Sequence, residues 1–200
     1  MEEIKFSLSL ALTDFIPVAL FGLCAVLLIR DLKNKMAKGV FACLVFGAVI
    51  AFLAGFLKAL WKLLIAAGVG NFPILDRMFL PLQSSGLLLT GLSIVLMLAL
   101  RKKAALMAPL TLGFISMMVL GLGAMCAGLS VMAGKLKKKA LIPVFVLCFF
   151  CYMGMGYLSS RGDNSASANW MEQGVNTVGQ LLLLGGVWGL DKAGLREYKL

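Results

Sequence analysis

A chain of 200 residues that is 61% hydrophobic and 14% charged, with a mean hydropathy of +0.97, carries more apolar surface than a water-soluble fold can hide. A spanning helix needs roughly 20 apolar residues plus a connection, so the length allows about six crossings and leaves nothing over for a soluble domain. The net charge of +10 would suggest nucleic acid as a partner for a soluble protein, but here the basic residues sit in short runs between apolar stretches. That is the pattern of topology signals and lipid head-group contacts, and no nucleic-acid partner is expected.

The start, Met1-Glu2-Glu3-Ile4-Lys5, is not a basic leader, and the apolar stretch after it is too long for a cleaved signal. The first spanning helix is therefore predicted over 6–29, with Asp14 about 12 Å along it. Arg30-Asp31-Leu32-Lys33-Asn34-Lys35 ends it. A second helix over 39–64 returns to the starting face and carries Lys58 and Lys62 one turn apart around Trp61. Asp14 and Lys58 then reach depths within roughly 5 Å of each other, and a salt bridge between them is expected. The plainer alternative puts Asp14 near the interface, with both lysines snorkelling beside an interfacial Trp. Gly47, Ala51 and Gly55 on this helix have the spacing that lets helix backbones approach, as do Gly185 and Gly189 on the last.

After a break over 68–77 with Pro73, the third helix, predicted over 78–100, brings in Gln83, Ser84 and Ser85 from the same face as Asp14. Arg101-Lys102-Lys103 closes it, and the fourth helix is predicted over 109–132. Lys135-Leu136-Lys137-Lys138-Lys139 leads into a fifth over 140–159, and residues 161–168 into a sixth over 169–190. On the sixth, Glu172, Asn176 and Gln180 recur every four residues and share one face, with Gln173 and Thr177 beside it. Such a stripe should turn away from lipid. Gln180 falls near the bilayer midplane and Leu181 to Leu184 follow it, so the stripe would stop halfway, as the floor of a cavity open to one side. The ordinary alternative is that these amides are interhelical hydrogen-bond glue, worth about 1 kcal/mol each.

Bilayer physics selects helices over strands, because unpaired backbone groups are costly in hydrocarbon and no alternating barrel pattern is present. The expected fold is an all-α polytopic transmembrane helix bundle of about six spanning helices, with residues 1–200 as one transmembrane domain. Six alternating spans place both termini on one side. They also put the basic runs after the first and fourth helices on opposite faces, so the charge bias nearly cancels, against the positive-inside rule. A 3+3 inverted repeat, with halves 1–103 and 104–200, would explain this. Leu23-Cys24-Ala25 can be laid on Met125-Cys126-Ala127, Leu32-Lys33-Asn34-Lys35 on Leu136-Lys137-Lys138-Lys139, and Gln83-Ser84-Ser85-Gly86 on Asn176-Thr177-Val178-Gly179. Ser116, Arg161 and Asn176 then correspond to Asp14, Lys58 and Gln83. Chains this rich in Leu, Gly, Ala and Val also produce such matches by chance.

The chain has no histidine, and Cys24, Cys43, Cys126, Cys148 and Cys151 all fall in apolar segments, where cysteine acts as a small hydrophobe. The CxxC pair Cys148 and Cys151 therefore reads as packing, and no disulfide, metal or cofactor is expected. GxSxG, HExxH, Walker A and GxGxxG sequences are absent, and Asp14, Asp76, Asp163 and Glu172 look scattered over both faces, so enzymatic chemistry is disfavoured. The expected function is that of a transporter or channel-like protein that binds or moves a small solute. Its path would run from Asp14, Lys58, Lys62 and Gln83 to Glu172, Asn176 and Gln180. The alternatives are an accessory subunit that meets a membrane partner or its own copy through Gly-rich faces, and a lipid-modifying membrane enzyme. The expected location is multi-pass in a plasma membrane.

Overall fold

The computed structural model describes residues 6–100, 114–160 and 165–198, and helix is their only regular secondary structure. The helices are α1 Leu8–Thr13, α2 Phe15–Leu32, α3 Lys38–Ala66, α4 Pro73–Arg77, α5 Phe79–Leu100, α6 Phe114–Lys135, α7 Ile142–Ser160 and α8 Ala166–Lys192, with a 3-10 turn at Lys139–Leu141. Every predicted helix has a counterpart, displaced by a few residues at its ends. The predicted start of the fourth helix, 109–113, lies outside the described residues, as do Arg101 to Lys103, Arg161 and Asp163.

The largest departure is in the first helix, which breaks at Asp14. Pro17 is the cause: it has no amide to donate to the carbonyl of Thr13, and its ring crowds that carbonyl. The freed Thr13 oxygen instead accepts a 2.8 Å hydrogen bond from Gln173 Nε2 of α8. Pro81 stands in the same relation to the break between α4 and α5 at Met78, and Pro73 occupies the first turn of α4, where a missing amide costs nothing. Three helices end in a left-handed residue that lets the next amide reach back five positions: Gly68 after α3, Gly194 after α8 and, unusually, Lys137 after α6.

The six long helices close into a ring in the order α2, α3, α5, α6, α7, α8 and back to α2. Glycine sets the tightest joints. A Cβ on Gly91 of α5 would lie 2.0 Å from the carbonyl oxygen of Gly121 on α6, and one on Gly86 would lie 2.6 Å from the amide nitrogen of Ala51 on α3. The backbone of α5 thus touches both neighbours, which only small residues permit. Gly47 and Ala51 pack as their spacing implies, and Gly55 has only ordinary contact with Val18. On α8 it is Gly186, receiving the Phe145 ring, and Gly189, against Leu141, that pack, whereas Gly185 meets nothing and faces outward.

Contacts along each joint fix the helix directions. Asp14 and Phe15 of α2 meet Lys62 and Phe56 of α3, and Gly22 meets Phe52, so these two run antiparallel. Between α5 and α6, however, Leu87 meets Gly121, Gly91 meets Met125 and Ile94 meets Gly128, a parallel pair. Likewise α2 and α8 are parallel, joined by Thr13 with Gln173 at one end and by Arg30 with Asp191 at the other. Both sets of three helices, α2-α3-α5 and α6-α7-α8, therefore run in the same sense. This corrects two expectations: the halves are not inverted relative to each other, and the two ends of the described chain, Phe6 and Tyr198, lie at opposite ends of the bundle.

The end carrying Tyr198 is closed. Leu28, Leu32, Leu44, Ile94, Leu129, Met132, Leu183, Val187 and Leu190 fill it, and Leu195 folds back from beyond α8 to 1% exposure. Arg30 pairs with Asp31 and Asp191 at its rim, and Lys35 donates to the carbonyl of Tyr198. Outside the ring, Leu23, Val26, Phe46, Leu147, Phe150 and Trp188 are each more than half exposed, the reverse of a soluble protein's surface. The helical stretches Leu8–Leu32, Lys38–Ala66, Pro73–Ala99, Phe114–Lys135 and Lys139–Ser159 are long and apolar enough to cross a membrane. The molecule is a multi-pass helical membrane protein.

Candidate functional site

Above the closed end the ring opens around a cavity of about 590 Å3. All six long helices line it, and most of its wall is apolar: Phe21, Phe52, Leu87, Met118, Leu122 and Met153 among others. A second space of about 70 Å3 adjoins it toward the end carrying Asp14, with Val18, Gly55, Lys58, Phe79, Met155 and Asn176 common to both. We refer to that end as the mouth.

The structure gathers the candidate residues of the sequence around these two spaces. Gln83 and Gln180 line the large cavity, Lys58 and Asn176 line both, and Asp14, Lys62 and Glu172 line the small one. Their pairing differs from expectation. Asp14 is bridged by Lys62, at 2.7 Å, and not by Lys58. Asp14 sits at the break before α2, and its carboxylate meets the lysine one helical turn further along α3 than expected. Lys58 instead places its ammonium 4.2 Å from the centre of the Phe79 ring and has no ion pair among the described residues. Asp14 and Glu172, expected to be scattered, come together in the small space.

Three buried oxygens here have no hydrogen-bond partner among the described residues: Asp14 Oδ1, Gln83 Oε1 and Gln180 Oε1. Leaving such an atom unsatisfied costs about 1–3 kcal/mol, more for a charged group, so the site holds polar capacity that the fold itself does not use. The third-helix hydroxyls are spent locally: Ser84 donates to Leu80 and Ser85 to Pro81, both main-chain carbonyls of their own helix. They do not extend the polar cluster. Trp61 is buried rather than interfacial, donating to Asn71 Oδ1 at 2.9 Å and meeting Phe6 edge to face.

Several contributors had little sequence signal. Tyr152, Met153, Met155, Gly156 and Ser159 bring α7 into the cavity wall, a helix whose sequence offers only apolar residues at mid-depth. Gln173 is a tether between α8 and the break in the first helix, and Pro17, four residues beyond Thr13, was the available clue. The cysteines are all free. Cys24, Cys126 and Cys148 belong to the packed core, and the Cys148 thiol donates to the carbonyl of Gly179 at 3.4 Å. No group of three or more cysteine or carboxylate side chains suited to a metal ion occurs among the described residues.

Comparison with protein-family models, with curated proteins and with solved structures finds no match for this chain.

Proposed function

We propose that this protein binds a small amphiphile, largely apolar with a polar or anionic end, in the cavity of a membrane-embedded bundle, and that it moves this solute across the bilayer. The observation that carries the reading is one cavity lined by all six long helices and closed at one end, with the Gln83 and Gln180 oxygens left without partners beside it. A volume of about 590 Å3 falls in the range of roughly 300–1,000 Å3 common to small-molecule sites, and mostly apolar walls with a few placed polar groups are their usual lining. Lys58 supplies a cation at the mouth that no described carboxylate neutralises by contact, so the polar end of the solute lies there and the apolar body lies against Phe21, Phe52 and Met118. In this reading α8 crosses the membrane as well; its polar residues face the cavity, which is why it falls short of the apolarity of the other spans.

The test is cysteine accessibility in a background lacking the native cysteines. Gln83→Cys, Asn176→Cys and Gln180→Cys should react with a small membrane-impermeant thiol reagent, while Val178→Cys on the lipid face and Leu183→Cys in the core should not. Decanoate should slow the reaction at 180, and decyltrimethylammonium should not. Uniform protection at 83, 176 and 180 would sink the reading. The meeting of Asp14 and Glu172 favours one second reading, a membrane enzyme that acts on the same class of amphiphile. Turnover of the amphiphile that is lost in Asp14→Asn would decide for it.

A further inference from the structure

The distribution of charge along the bundle assigns the two ends to the two sides of the membrane: we infer that the closed end is the cytoplasmic face, resting among anionic head groups, and that the cavity lies toward the opposite side. The first premise is helix direction. Because α5 and α6 run parallel and α2 and α8 run parallel, the turn between α2 and α3, the turn between α6 and α7 and the segment after α8 all lie at the closed end.

The second premise is what those segments carry. The first turn holds Arg30, Lys33, Lys35 and Lys38; the second holds Lys135, Lys137, Lys138 and Lys139; the last holds Lys192 and Arg196. The acidic groups here are Asp31, Asp191 and Glu197, and Arg30 already pairs with two of them. At the mouth end the described cations are Lys58, Lys62 and Arg77, balanced by Asp14, Asp76 and Glu172. The near-cancellation of charge that six alternating spans would impose disappears, and the basic runs collect on one face.

Short loops rich in Lys and Arg are retained on the cytoplasmic side, and the anionic leaflet there attracts each such residue. The N-terminal end of α1 then lies outside and the C-terminal end of α8 inside. The cavity then lies in the non-cytoplasmic half of the bundle. The orientation holds whatever the cavity binds, since it rests on helix direction and loop charge alone.

Single cysteines in the full-length chain, expressed in intact cells without native cysteines, test this directly. Val69→Cys should be labelled by an impermeant maleimide in intact cells, and Ala37→Cys and Lys138→Cys only after permeabilisation. An alternating six-span chain would put positions 37 and 138 on opposite sides, so labelling of one without the other overturns the helix directions. Labelling of both in intact cells, with 69 protected, overturns the sidedness. Tags on the two termini of the otherwise native chain give a second readout, accessible outside at the N-terminus and inside at the C-terminus; both on one side would refute the inference independently of any cysteine variant's folding.

Discussion

Replacing Gly91 by alanine adds one methyl group where α5 and α6 are closest. Built on the existing backbone, its carbon stands 2.0 Å from the Gly121 carbonyl oxygen and 3.0 Å from the Met125 amide nitrogen. Ordinary contact is about 3.4 Å, so the helices must part locally by about 1.4 Å, and the obstacle is backbone, which cannot swing aside as a side chain can. A gap of 0.5 to 1 Å already forfeits a quarter to a half of the dispersion well, and Gly121 against Leu87 and Gly128 against Ile94 share the same joint. Overpacking costs about 1–3 kcal/mol, and the upper end applies here. At about 2–4 °C per kcal/mol for a chain of this size, the midpoint of thermal unfolding in detergent should fall by about 6 to 12 °C. Gly185→Ala is the control, because a Cβ there meets nothing within 4 Å, and it should leave the midpoint unchanged or slightly raised. If Gly91→Ala melts with the parent protein, the parallel contact of α5 with α6 is wrong, and with it the direction of the second half.

Two further outcomes follow from local geometry. Lys62→Met should strand the Asp14 carboxylate and destabilise the protein by about 3 kcal/mol, with Asp14→Asn plus Lys62→Met recovering most of the loss, whereas Lys58→Met should cost less and couple to Asp14 more weakly than Lys62 does. A thermodynamic cycle in detergent measures both couplings, and equal coupling to Lys58 and Lys62 would contradict the 2.7 Å pair. Lys137→Gly should stabilise the chain by about 0.5–1 kcal/mol, since Lys137 holds the left-handed conformation at φ 58° that glycine adopts without strain. A midpoint unchanged or lowered would mean that the turn after α6 is not built this way.

The positions of the helices were legible because apolar stretches and charged turns alternate so regularly along the chain. The polar residues that gather at the cavity were legible too, since amides and charges at membrane depth have few other places to go. The partner of Asp14 lies one helical turn beyond the expected one, and the break beside Asp14 could have been read from Pro17. Helix direction was not legible. Counting apolar stretches assumes that each reverses the last, and the parallel pairing of α5 with α6 breaks that assumption. The cavity wall was equally hidden, because Phe52 or Met118 facing a cavity and Phe46 or Leu120 facing lipid are the same kind of residue in sequence.

The glycine joints of α5 divide the ring mechanically. With backbone against backbone on both sides, α3, α5 and α6 can neither slide nor tilt separately without collision, so they form one rigid wall. The other three helices meet that wall and each other partly through rings, such as Phe149 beside Gly123, Phe52 beside Gly22 and Phe145 in the notch of Gly186, and partly through polar links, Asp14 with Lys62, Gln173 with Thr13 and Arg30 with Asp191. The side without backbone-to-backbone glycine joints is therefore α2, α7 and α8. Lys58 and Gln83 stand on the glycine-jointed wall, and Asn176 and Gln180 on the other, so a shift of one wall against the other would change the distance between the two pairs.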